Sequence, residues 1–349
     1  MQGTRAVLLL LSYILIRSVS AQFNGPESVE YDPVGDRYFV SNTGSSTISE
    51  VDQQGNVTVF AQGLPNAPYG LEIMGDVLYA CMGSGVRGYS LQTGEEVYYR
   101  NLNAQFPNGI TTDRTFLYIT AFQGQNIIKV DPVNDTHEVL VPSTGGQPNG
   151  IVYDPNGERL VVAFWGSNAP IKSFDRNTGE ATTLVANTGL SNIDGITIDC
   201  LGRFITASWS PDQLTAWDPA FTSPGVDLGA AGLNNPADID FDPVNNVIAV
   251  PNTAAQTVTF HDVACTSGLP ETFEEKEQLM VIPNPVRDIM HIQPAFKEPQ
   301  PYIILDQRGL LIGGGTLRPN GLIDLRRLSA GTYILNFTAA RMQVRLVKE

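Results

Sequence analysis

The chain is poor in charge, sulfur and histidine. Only 16% of its 349 residues are Asp, Glu, Lys or Arg, and 21 Lys and Arg face 36 Asp and Glu, a net charge of −15. No basic footprint is present, which excludes nucleic acid as a partner. The acidic balance, with a pI near 4.6, suits solubility and divalent cations. The histidines are His137, His261 and His291, widely separated, and no Cys pair has zinc-ligand spacing. G-x-S-x-G and H-E-x-x-H are both missing, so serine and zincin hydrolysis have no motif. No stretch shows a helical apolar period, and no later run reaches the ~18 apolar residues of a membrane span. With 42% hydrophobic residues the chain is nonetheless globular.

The N-terminus reads as a targeting segment. Arg5 precedes the apolar run Ala6 to Ile16, and Val19 and Ala21 fit signal-peptidase cleavage, so residues 1–21 form a signal peptide and Gln22 starts the mature chain. No Cys at that site offers a lipid anchor. Export permits disulfides. Cys81, inside DVLYACM, reads as a buried free thiol. Cys200 and Cys265 are available to pair, a matter that geometry decides.

One phrase recurs along the chain: QPNGIVYDPNGERL (147–160), FPNGITTDRTFL (106–117), NIDGITIDCLGRF (192–204) and NPADIDFDPVNNV (235–247), with degraded copies at 25–39 and 67–79. Anchored on Ser28, Gly70, Gly109, Gly150, Gly195 and Asp238, the spacings are 42, 39, 41, 45 and 43. Each unit holds four short runs rich in β-branched and aromatic residues, separated by turn signals, as in GIVYD, RLVVAF, IKSFD and ATTLVA. Four strands per ~40 residues is one propeller blade. The expected fold is all-β: a six-bladed β-propeller over 22–264, then a small Ig-like β-sandwich tail. The last blade lacks a clear outer strand, and the N-terminal AQFNG is a candidate to supply it. Residues 265–278 read as a polar, acidic linker, and 279–349 as a second β-domain.

The innermost strand of each blade starts at the channel mouth, so the residue before the anchor should line it. By blade these are Glu27, Tyr69, Asn108, Asn149, Asp194 and Ala237. Two carboxylates and two amides make a cage suited to a hard cation, most naturally calcium. A plainer reading stands beside it: Asn-Gly and Asp-Gly form turns because they tolerate positive φ. After the second strand stand Asn42, Met82, Phe122, Trp165, Trp209 and Asn252. Phe122, Trp165 and Trp209 fall on the blades that carry Asn108, Asn149 and Asp194, as in a ligand pocket with apolar walls; packing between blades is the alternative.

Two resemblances bear on these residues. DGITIDCLGRFITASWSPDQLTAWDP (194–219) and PNGIVYDPNGERLVVAFW (148–165) resemble the senescence-marker-protein/gluconolactonase family of six-bladed propellers, over about 22–264. That resemblance implies a divalent metal held by Glu27, Asn149 and Asp194, with Asn108 contacting the bound ligand. It also implies hydrolysis of a lactone or ester, in which the metal polarises the carbonyl and acidifies water and Asp194 accepts a proton. Phe122, Trp165 and Trp209 would then hold the substrate ring with Asn108. The sequence departs from the family after Glu27, where Pro-x-Trp is missing, and at Ala163–Trp165, where an acidic residue is usual. NHL repeats share the P-x-G pattern without metal, so a non-enzymatic propeller binding a glycan, peptide or protein stands as the rival, and a purely structural propeller as a third reading.

The tail is similar to the C-terminal sorting domain of the type IX secretion system. The carriers are Asn284-Pro285, Asp306, Gly309, Leu328, Gly331, Tyr333 and Lys348, in order and at the chain's end. The resemblance implies export through the periplasm and outer membrane of a Gram-negative bacterium, with the type IX machinery as partner and release or fixing at the cell surface as outcome; the chain is expected to be a monomer. An ordinary Ig-like accessory domain is the alternative.

Overall fold

The computed structural model describes residues 17–20, 23–265, 280–293, 296, 299–306, 311–319, 321–337 and 342–349. Most of the expected leader and linker, and Gly309, lie outside the described residues. The chain divides into two compact units, Met1–Ser267 and Gly268–Glu349.

The first unit is a β-propeller of six four-stranded antiparallel sheets. The inner strands are Pro26–Asp32, Pro68–Met74, Pro107–Thr112, Pro148–Asp154, Ser191–Ile198 and Asp240–Asp242. Five sheets follow chain order outward. The sixth takes its outer strand from Arg17–Ser20, paired antiparallel with Phe260 to Thr257. That strand lies within the segment read as leader and just upstream of AQFNG. At the axis the ring closes differently: Ser28 bridges Asp238, and the Asp238 N–H donates to Glu27 O at 2.9 Å.

The core lies between sheets. Second strands such as Arg159–Phe164 are buried along almost their whole length, because a neighbouring sheet covers each face. Outer strands such as Ala181–Val185 are mostly exposed. Leu160, Val162, Phe164 and Phe174 of the fourth sheet pack with Ile193, Ile196, Phe204 and Trp217 of the fifth. Cys200 and Cys265 form a disulfide across a sequence separation of 65, and Cys81 is a buried free thiol.

The recurring glycine has a packing cause. Gly70, Gly109, Gly150 and Gly195 sit inside strands and none has positive φ. A Cβ at Gly70 would meet Asn108 O at 2.2 Å, at Gly109 Asn149 O at 2.4 Å, at Gly150 Asp194 O at 2.7 Å and at Gly195 Ala237 O at 2.6 Å. Each inner strand thus lies against the backbone of the next. Turn-forming ability does not explain these positions, so that reading of Asn-Gly is corrected. Where the ring admits side chains, they bond: Ser28 Oγ donates to Asp238 Oδ2 at 2.9 Å and accepts from Leu71 N–H at 3.1 Å.

The second unit holds a three-stranded and a four-stranded antiparallel sheet around Val286, Met290, Leu335, Phe337 and Leu346. Asn284 ties the final strand: its Oδ1 accepts Val347 N–H at 2.8 Å and its Nδ2 donates to Arg345 O at 3.2 Å. Tyr333 Oη donates to Ser329 O, and Gly331 pairs with Lys348. Among the described residues no helix is long and apolar enough to cross a membrane.

The glycine contacts predict that Gly150→Ala destabilises the propeller by about 2 kcal/mol or more, because the obstruction is backbone and cannot rotate away. Urea unfolding checks this; Gly63→Ala, with nothing within 4 Å but a positive φ, separates crowding from backbone strain.

Candidate functional site

Each of the first five inner strands carries a bulge where the recurring phrase begins. Its register against the second strand shifts between Pro26 and Val29, Pro68 and Leu71, Pro107 and Ile110, Pro148 and Ile151, and Ile193 and Gly195. A bulge places two residues opposite one and re-aims a side chain. The bulged residues are Glu27, Tyr69, Asn108, Asn149 and Asp194. Strand-two hydroxyls satisfy the loosened backbone: Thr120 Oγ1 accepts Gly109 N–H and donates to Asn149 O, and Ser41 Oγ accepts Ser28 N–H.

Three of the expected site residues form one hydrogen-bonded chain. Asn108 Nδ2 donates to Asn149 Oδ1 at 2.5 Å, and Asn149 Nδ2 donates to Asp194 Oδ1 at 2.9 Å. All three are buried. Glu27 is 8% exposed, and its Oε2 is buried with no hydrogen-bond partner. Burial pushes the Glu27 carboxyl well above the usual range, and the charges of Asp194 and Asp238 push it further. Burial lifts Asp194 to about 7, against the hydrogen bond from Asn149 and the nearby Trp209 indole. The Trp209 N–H itself makes no hydrogen bond of ordinary geometry. Asp238, from the sixth blade, is raised by burial and by Asp194 and Asp240.

A buried carboxylate oxygen without a donor is a demand for a cation or a proton. Among the described residues no three His, Cys, Asp or Glu side chains converge on one point. The donors here are carboxylates mixed with amides, and a hard cation accepts amide oxygens as well. Glu27, Asn149 and Asp194 therefore fit a divalent ion in donor chemistry. Asn149 would have to turn its oxygen, now accepting from Asn108, toward the ion.

The wall beside this set is aromatic. Tyr69, Phe106, Phe122, Trp165 and Trp209 form a continuous edge-to-face series, with ring centroids 4.7, 5.6, 6.0 and 4.8 Å apart. All five are half-buried: each ring packs against the ring of a neighbouring blade or loop and keeps part of its surface open. Asn42, Met82 and Asn252, at the matching places of the other blades, are fully buried. Asn42 and Asn252 instead accept the N–H of Asn24 and Asn234, tying loop to strand. Tyr69 and Phe106 escaped the sequence reading of the wall. Phe106 holds φ at 63°, a costly conformation for a bulky residue that the fold maintains.

A second ring lies three residues further along the inner strands: Glu30, Glu72, Thr111, Val152, Thr197 and Asp240. Glu30 Oε1 accepts Ile73 N–H, and Asp240 Oδ2 accepts Tyr31 N–H, both at 2.9 Å. Burial raises Glu30 and Glu72, with Asp240 adding to both, and lifts Asp240 to about 6. Counting on from the variable residue would have found this ring. The histidines take no part: His137 and His261 lie on outer and third strands, and His291 lies in the second unit.

No protein-family model and no curated protein matches the chain. Solved structures do. A gluconolactonase from Xanthomonas campestris aligns at 14% identity and TM-score 0.59, covering 70% of this chain and 89% of that one. A calcium-binding regucalcin from Agrobacterium tumefaciens aligns at 15% identity and TM-score 0.57, covering 69% and 90%. A chain of a nidogen/laminin complex aligns at 20% identity and TM-score 0.52, covering 64% and 92%. At these identities the likeness is one of fold, and the fold serves both enzymes and binding proteins.

The raised carboxyls set the pH dependence. Unfolded, these acids titrate at about 4; folded, Asp194 titrates at about 7. Between those values the unfolded chain has released protons that the folded chain keeps, so stability falls as pH rises through the window. In the presence of chelator, Tm is expected to drop from about pH 5 to about pH 7.5, and Asp194→Asn should flatten part of that drop. A flat Tm across the window would show that these carboxyls ionise as freely as in the unfolded chain, and a climbing one that the fold favours their charged form.

Proposed function

We propose that the propeller is a divalent-cation-dependent hydrolase of lactones or related esters. Glu27, Asn149 and Asp194 hold the ion, calcium being the best match to oxygen donors. The observation that carries this reading is the orphaned Glu27 Oε2, buried among acids with no basic residue to answer it. When bound, such an ion supplies Lewis-acid polarisation of a carbonyl and acidification of water. Asn108, hydrogen-bonded to Asn149, orients the set and reaches the ligand. Asp194, whose Oδ1 accepts from Asn149 Nδ2 at 2.9 Å, accepts the proton released as water adds to the ester carbon. Phe122, Trp165 and Trp209 hold the ring of the substrate and exclude water. The N-terminal leader, whose removal before Gln22 would also take Arg17–Ser20 from the sixth sheet, and the type IX motif of 279–349 carry the chain to the surface or medium of a Gram-negative bacterium, where it acts as a monomer.

The aromatic wall also favours a second reading, a non-enzymatic propeller that binds a glycan, peptide or protein on the same face and needs the rings but not the ion.

Thermal unfolding of the full chain in excess chelator, then in millimolar calcium, separates the two. A ligand at ~100 times its Kd adds about 2.7 kcal/mol, or roughly 5–10 °C in Tm for a domain of this size. The expected result is such a rise, lost together with lactone hydrolysis in Asp194→Ala. No shift with calcium, zinc or manganese, or unchanged hydrolysis in Asp194→Ala, would sink the enzyme reading.

A further inference from the structure

One join in the ring differs from the rest. The chain runs directly from each blade to the next, but blade six and blade one stand at opposite ends of it and meet only by contact. With the leader in place, Arg17–Ser20 spans that join. It pairs with Thr257 to Phe260 and is linked through Ala21 and Gln22 to Phe23, which is buried with Val29 and Tyr38 of blade one and Val258 of blade six. Removal of the leader before Gln22 cuts this tie. Blade six then keeps three strands, and the outer edge of Thr257–Asp262 loses its partner. Its inner strand has three residues, where the other blades have six to eight. What still crosses the join includes Asp238 N–H to Glu27 O at 2.9 Å and Thr253 Oγ1 to Pro26 O at 2.8 Å.

The other side of blade six is held covalently. Cys265, where the chain leaves that blade, is bonded to Cys200 in the first turn of blade five. Both ends are anchored. Buried Asp199 fixes the turn: its Oδ1 accepts the N–H groups of Leu201 and Arg203 at 2.9 Å, and its Oδ2 takes Arg203 Nη2 at 2.6 Å. Val263 N–H donates to Asn246 O at 2.8 Å, and Val263 packs with Ile205 and Leu214 of blade five. The bridge therefore encloses all of blade six and fastens it to blade five. A cross-link of this kind removes open states of the segment it encloses. Cys200 is exposed and Cys265 half-buried, so thiols can reach the bond.

We infer that Cys200–Cys265 is the clasp of the mature propeller. Once the leader strand is gone, the bridge keeps blade six, and with it the Glu27 side of the mouth, in place, so the mouth is complete only in an oxidising compartment. The inference rests on loss of the leader and not on the hydrolase reading. In forming the bridge the two thiols give up two protons and two electrons to a disulfide-bearing oxidant, which leaves as two thiols; reduction reverses this. The cytosol keeps such thiols reduced, and an exported chain meets conditions that oxidise them. Leader strand and bridge thus act in succession, one before processing and one after export. Opening of blade six takes Asp238 away from the Glu27 backbone and carries off Asp238 and Asp240 together.

Hydrogen exchange tests this on two chains, the mature one from Gln22 to Glu349 and a longer one from Arg17 to Glu349. Each is folded oxidised and then compared with and without excess dithiothreitol, a dithiol that leaves as a cyclic disulfide. In the mature chain, reduction is expected to speed exchange over Val247–Asp262 by about tenfold or more, and over Leu117–Asp131 of blade three by less than about threefold, as a local opening requires. In the longer chain the same reduction should speed Val247–Asp262 by less than about threefold, because Arg17–Ser20 holds the blade. Cys200→Ser combined with Cys265→Ser should match the reduced mature chain without any reductant. Cys81 is already a free thiol, so the reductant acts through the pair. Equal exchange in the two mature forms, acceleration shared equally by blades three and six, or a longer chain no better protected than the mature one would overturn the inference. No arm needs calcium or a substrate, so failure of the hydrolase reading leaves this result standing.

Discussion

Everything at the channel mouth depends on how closely the inner strands approach one another. Carbonyl oxygens of one blade lie where a Cβ of the preceding blade would be, within 2.2–2.7 Å of that point at Gly70, Gly109, Gly150 and Gly195. Only glycine fits. That approach narrows the channel until side chains of neighbouring bulges can touch, so Asn108 reaches Asn149 and Asn149 reaches Asp194. A wider ring would leave the same residues as separate, solvated groups.

The narrow channel then concentrates carboxyls. Glu27, Asp194 and Asp238 at one level and Glu30, Glu72 and Asp240 at the next are all pushed upward, burial being the first cause throughout. Such a column is stable when it holds protons or a cation, since mutual repulsion in a poorly solvated space is otherwise uncompensated. The aromatic arc sits beside it. Their combination separates two tasks: the acids handle an ion or a proton, and the rings handle an apolar surface.

Much of the architecture is legible from local pattern. The ~40-residue repeat, the alternating strands and the turn signals in DPNG and RNTGE are short-range features, and they locate each blade. Register carries further, because the residue before the anchor occupies the same bulge in five blades; that is why Glu27, Asn108, Asn149 and Asp194 could be named together as oxygen-bearing residues of the mouth, while the choice of Glu27, Asn149 and Asp194 as ion ligands came from the family resemblance alone. The plan fails where a contact is long-range. Arg17–Ser20 completes the sixth sheet although its partner, Thr257–Asp262, stands at the far end of the propeller. Tyr69 and Phe106 join the aromatic wall through loop geometry, and Phe106 does so with a φ that no sequence rule predicts.

By itself, then, the sequence determined the all-β repeat, the blade spacing and the residues offered at each bulge, since each follows from period and composition. Only the tertiary structure decided why the glycines recur, which acids meet, and that the rings form one arc. Ser28 and Asp238 bond across 210 residues, and no local rule brings them together; closure of the ring does. It is that closure that sets Glu27, Asp194 and Asp238 against one another and leaves Glu27 Oε2 without a partner.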